Sequence, residues 1–94
     1  MALTLYSRVY TISGRVQGVG FRYFTAMHAQ SLGVTGYARN CDDGSVEVLL
    51  EGNREQIQSL HEHLAEGPRF SSVIDIRYDE REIARRSYRS FSTG

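Results

Sequence analysis

The sequence predicts an α+β fold, an antiparallel sheet with two helices on one face, and three observations carry that expectation. Two stretches, residues 21–32 and the run after Asn53, carry apolar residues at helical spacing of three to four. Four others are rich in Val, Ile, Thr and Tyr and bounded by turn residues. The order along the chain is strand, helix, strand, strand, helix, strand. Right-handed crossovers in both β-α-β units then put the two helices on the same side of the sheet.

Residues 3–13 read as the first strand, with Leu5, Val9 and Thr11 on one face and Tyr6, Tyr10 and Ile12 on the other. In the helix over residues 21–32, Phe21, Phe24, Met27 or His28, and Leu32 form the expected buried stripe. Gly33 stops it. Residues 34–41 and 45–51 are strands joined through Asp42-Asp43-Gly44, a strong hairpin signal. Asn53 is the expected N-cap of the second helix, with Gln56 completing a capping box and Ile57, Leu60 and Leu64 facing inward. Gly67-Pro68 ends that helix. Residues 72–78 alternate as a fourth strand, residues 79–89 are charged and read as a loop, and residues 88–93 as a short last strand. This is the ferredoxin-like β-α-β-β-α-β sandwich, in a single domain over residues 1–94. Fold alone assigns no activity.

Composition narrows the function. The formal charge is zero, which disfavours a general nucleic-acid or membrane-surface binder. All 11 basic residues are arginines. Without lysine there is no Walker-A Gly-Lys pair and no Schiff-base chemistry. No apolar run approaches the ~18 residues of a membrane span. The N-terminal residues lack the basic and apolar regions of a secretory signal, and the single cysteine, Cys41, cannot form an internal disulfide. A cytoplasmic monomer is expected.

The segment with most chemical content is Gly14-Arg15-Val16-Gln17-Gly18-Val19-Gly20-Phe21-Arg22. Its glycines let the backbone curl so that successive N–H groups face one small volume. The helix that starts at Phe21 aims its positive dipole end there. Arg22 in the first turn adds a planar fork suited to two phosphoryl oxygens. The structural alternative is a tight strand-to-helix turn with a solvent-facing arginine.

A second pattern follows, Gly36-Tyr37-Ala38-Arg39-Asn40, then Gly44, Val46 and Gly52. With both patterns, the chain resembles the acylphosphatase family, whose signatures are Gly-x-Val-Gln-Gly-Val-x-Phe-Arg and Gly-aromatic-small-basic-Asn-x3-Gly-x-Val-x5-Gly. The resemblance spans most of the domain. It implies that Arg22 and the amides of Arg15, Val16, Gln17, Gly18, Val19, Gly20 and Phe21 bind phosphate, and that Asn40 holds the attacking water. It also implies hydrolysis of a small-molecule acyl phosphate with no metal and no cofactor. A catalytically weak phosphate- or anion-binding module on the same fold is the alternative. Relatives of this kind usually end in a strand like Phe-x-Ile-Arg-Tyr. Here Phe91-Ser92-Thr93-Gly94 departs from that pattern, so a short last strand is expected and an Arg22 pairing with the terminal carboxylate is in doubt.

Other readings fail on particular residues. Val16 stands where a Cys-x5-Arg phosphatase loop needs its thiol. Cys41 has Glu47 rather than arginine at the matching distance and reads as a small hydrophobe on a strand. Asp42 and Asp43 sit at a hairpin tip, where solvated turn residues are expected. His61 and His63 are two apart on a helix and face different ways, so they are no zinc pair. An RNA-binding sheet would need more exposed strand aromatics and a basic face than Tyr37 on a neutral chain provides.

Overall fold

The computed structural model describes residues 3–94. Its elements are β1 (Leu5–Arg15), α1 (Phe21–Leu32), β2 (Thr35–Asn40), β3 (Val46–Asn53), α2 (Arg54–Glu66), β4 (Ser72–Ile83) and β5 (Phe91–Thr93). They form one sheet in the order β4-β1-β3-β2-β5. All pairings are antiparallel except the short β2–β5 pair, which is parallel. This is the sandwich expected from the sequence, with β5 added outside β2.

Alternation along the strands decides which side chains enter the core. Tyr10 and Ile12 of β1, Ala38 of β2, and Val46, Val48 and Leu50 of β3 are fully buried. Ile57, Leu60 and Leu64 of α2 close over them, as their spacing predicts. The capping box also forms: Asn53 Oδ1 accepts from the Gln56 N–H at 2.8 Å, and Gln56 Oε1 accepts from the Asn53 N–H at 3.0 Å.

Three expectations change. The buried stripe of α1 is Phe21, Thr25 and Ala29, with Phe24 and His28 at its border and Met27 48% exposed. Strict i, i+4 spacing wins, and Thr25 tolerates burial because its hydroxyl donates to the Phe21 carbonyl at 2.8 Å. Cys41 lies just beyond β2, in the turn to β3, rather than on a strand.

The third change concerns β4, which continues to Ile83 through the charged run expected to be a loop. It pairs with β1 along its length, from Arg15↔Ser72 to Leu5↔Ile83. The buried Arg8 fixes the distal half: its Nε donates to Glu80 at 2.7 Å and its guanidinium lies 4.3 Å from the Tyr78 ring centre. The charges suit an edge strand, where they discourage pairing with another chain. A register shift opposite Ser13/Gly14 also resets the alternation, so that Val73 and Ile76 both pack against the core while Ile74 is 80% exposed.

Arg86 and Glu51 tie the chain from β4 back to the sheet. Arg86, in the charged segment 79–89, donates through Nη1 to the carbonyls of Gly33 and Glu51 and to Thr35 Oγ1. The Glu51 carboxylate, only 3% exposed, accepts from the N–H groups of Ser87 and Tyr88. These contacts deliver β5 to the edge of β2. Glu51→Ala removes a charged acceptor from two amides, and we expect a loss of about 2 kcal/mol in urea unfolding. An unchanged midpoint would show that the tether contributes nothing.

Candidate active site

The register aligns three strands at one end of the sheet. Ile12 of β1 faces Val46 of β3, and Val46 faces Asn40 of β2. Asn40 therefore lies two strand spacings from Ile12, roughly 9–10 Å. It shares the helix-facing parity of Gly36 and Ala38, which are buried, whereas Tyr37 and Arg39 point to the opposite face. There Tyr37 Oη donates to Glu47 at 2.6 Å, and Arg39 Nε donates to the same carboxylate at 3.0 Å. The hydrogen bond to Glu47 pushes the Tyr37 hydroxyl up to about 12. Arg39 and then Tyr37 hold Glu47 below its ordinary value. That carboxylate is committed to the outer face, away from Asn40.

The chain leaves β1 at Arg15, turns through residues 16–20 and enters α1. Gly18 and Gly20 have φ of 73° and 79°, a left-handed conformation that a side chain would strain. Gly20 is the N-cap and offers no side-chain acceptor, and the first turn has no acidic residue. The first intrahelical bond is Phe24 N–H to Gly20 C=O at 2.9 Å. The amides of Phe21, Arg22 and Tyr23 precede it and are left for an external acceptor. By contrast, α2 carries its own cap and Glu55 in its first turn.

These elements enclose a cleft of about 200 Å³. Val16, Gly18, Gly20, Phe21 and Arg22 line it from the loop and helix start. Asn40 comes from β2, and the cleft walls are completed by Tyr23 and Thr93. The side chains of Arg15, Gln17 and Val19 turn elsewhere: Arg15 is exposed at the end of β1, and Val19 packs against the core. Arg22 has no acidic partner within ion-pairing distance among the described residues, the terminal carboxylate included. The chain end is instead held beside β2, where the Gly94 N–H donates to the Ala38 carbonyl at 3.0 Å.

Gln17 bridges the loop to the hairpin. Its Nε2 donates to the carbonyls of Cys41 at 2.8 Å and Ser45 at 2.9 Å. Those residues flank the turn directly after Asn40, which is further braced by Asp43 accepting from the Ser45 N–H and hydroxyl. Tyr23 and Thr93 were not identified as cleft residues from the sequence. Tyr23 was legible as the neighbour of Arg22 in the first helical turn, whereas Thr93 depends on the β2–β5 pairing, which has no local signal.

The same segments are those that match known proteins. A family model described as acylphosphatase matches residues 8–93. The chain belongs to the acylphosphatase family. It is 48% identical over 80 residues to an acylphosphatase of Bifidobacterium longum, covering 85% of this chain and 82% of that one. It is 54% identical over 71 residues to an acylphosphatase of Yersinia pseudotuberculosis, covering 71% and 77%. The crystal structure of acylphosphatase from Bacillus subtilis superimposes with a TM-score of 0.87 at 41% identity, covering 96% of this chain and 98% of that one. Members of this family are hydrolases that act on acid anhydrides. Among the described residues, no helix is long and apolar enough to cross a membrane.

Gln17→Leu keeps the bulk of the side chain but removes the donor to both carbonyls. We expect a stability loss of about 1–2 kcal/mol and a lower kcat, measured by urea unfolding and steady-state kinetics. Full kcat in a folded variant would mean that the bridge does not set the spacing of loop and hairpin.

Proposed function

We propose that the cleft hydrolyses the carboxyl–phosphate bond of a small acyl phosphate by direct attack of water, without a metal ion. The observation that carries this reading is the joining, in one small cleft, of an uncapped helix start, an unpaired Arg22 and Asn40. Family membership supports acyl phosphates as the substrate class.

The phosphoryl group sits in the curl from Arg15 to Phe21, where backbone N–H groups and the α1 dipole favour a dianion. Arg22 donates to two of its oxygens. Asn40 accepts a hydrogen bond from water through its side-chain carbonyl and holds the water in line with the leaving group. As the water oxygen bonds to phosphorus, the P–O bond to the acyl group breaks and its electron pair leaves with the carboxylate. A carboxylate needs no proton to depart. The proton of the attacking water passes to a phosphoryl oxygen, since an amide cannot take it.

The transition state is loose, so positioning and charge stabilisation supply most of the rate. Fixed amides and a guanidinium meet that demand without reorganising during the reaction. The protein acts as a monomer in the cytoplasm on a small acyl phosphate, with no protein or nucleic-acid partner.

Arg22→Ala is expected to remove a transition-state contact of about 3 kcal/mol, more than a hundredfold in kcat/KM for acetyl phosphate. A folded variant with wild-type kcat/KM would overturn the role of Arg22. Asn40→Ala should lower kcat at least as clearly as it alters KM, and full kcat would remove Asn40 from the mechanism. Turnover should persist in excess EDTA; a chelator-dependent loss would refute the metal-free step.

A further inference from the structure

One large side chain in the cleft has no part in holding phosphate. Tyr23 follows Arg22 on α1, and successive helical residues diverge by about 100°. While Arg22 serves the phosphoryl end, Tyr23 forms a separate wall and remains 72% exposed. An aromatic ring so open gains nothing from the core. Met27, one turn further along α1, is also exposed, at 48%. The i, i+4 spacing sets it beside Tyr23, so that an apolar ridge runs outward from the mouth of the cleft.

The size of the cleft decides what the ridge is for. At about 200 Å³ it is smaller than a site that encloses a drug-sized ligand, for which 300 Å³ is roughly the lower limit. Once a phosphoryl group lies on the helix start, an acyl group larger than acetyl must extend through the mouth. We infer that Tyr23 is a specificity-determining residue, whose ring receives the acyl group of the substrate and favours aromatic over small acyl phosphates. This rests on the acyl phosphate hydrolysis proposed above. The ring offers an offset or edge contact to an aromatic acyl group, and acetyl is too small to exploit it.

The test compares kcat/KM for benzoyl phosphate with that for acetyl phosphate in wild type, Tyr23→Ala and Tyr23→Phe. The benzoyl-to-acetyl ratio is expected to fall about fivefold in Tyr23→Ala and to be retained in Tyr23→Phe. A role limited to folding or to phosphate binding would lower both substrates together and leave the ratio fixed, which would overturn the inference. So would an equal fall of the ratio in Tyr23→Phe, because the hydroxyl rather than the ring would then be responsible. If the wild-type protein hydrolyses neither substrate, the reading of the site fails first and the assignment of Tyr23 falls with it.

Discussion

The amide of Gln17 is the contact on which the geometry of the cleft depends. The loop after β1 and the residue at the end of β2 belong to segments separated by the whole of α1. The sheet brings them to neighbouring levels through Ile12, Val46 and Asn40, but β1 pairs with β3 no further than that row. Beyond that row, a single side chain donates to two hairpin carbonyls and sets how far the loop stands from the turn. Each carbonyl also accepts a backbone N–H, from Gly44 at Cys41 and from Cys41 at Ser45, so it is the partly buried Gln17 donor that would be left unmatched. A shift of loop against hairpin therefore has an energetic penalty. That stiffness is what a site relying on positioning requires.

The two helices show where stability has been given up for binding. They pack against the same sheet, yet α2 has a reciprocal capping box and α1 begins at a glycine with no side-chain acceptor. A Gly N-cap is weaker than Ser, Thr, Asn or Asp by only about a few tenths of a kcal/mol, so α1 forgoes that much by starting at Gly20. Its amides are unsatisfied within the chain and available to an anion. An Asp or Ser at this position would fill the volume a phosphoryl oxygen needs, and its side chain would also meet the left-handed φ of 79°. The same loop is tied down on its other side by Val16 and Phe21, each 1% exposed. Rigid anchors thus flank the turn that carries Gly18 and Gly20.

Features set by neighbouring residues were legible in the sequence, and those set by distant strands were not. The bounds of α1, the Asn53–Gln56 box and the Asp42-Asp43-Gly44 turn depend on a few adjacent residues, and each forms where the pattern indicated. Arg22 and Asn40 were legible through motif spacing, and the fold brings both to the cleft. The register shift at Gly14 was not legible, because β4 changes its alternation only when paired with β1. Nor was the extension of β4 through Asp79 and Glu80. Hydrophobic periodicity is absent from an edge strand held by Arg8, and a charged run then reads as a loop. The role of Arg86 was not legible for a related reason: its acceptors are mostly backbone carbonyls, which no side-chain pattern advertises.

A chain with no net charge still supports an anion site, because several of its acidic groups are engaged elsewhere and none pairs with Arg22 among the described residues. Glu80 is held by Arg8 and Arg54 on β4, Asp75 pairs with Arg77, and Glu47 faces away from the helices with Tyr37 and Arg39. Glu51 is taken up by backbone amides at the far end of the tether. Among the described residues, Arg22 takes part in none of these ion pairs. Overall neutrality and local positive potential are compatible when ion pairs are short-range, since paired charges cancel within a few ångström and screening removes most of the remainder. The field at the cleft is then set by one guanidinium and the oriented amides of α1. It arises from how the charges are distributed, and the net count of zero carries no information about it.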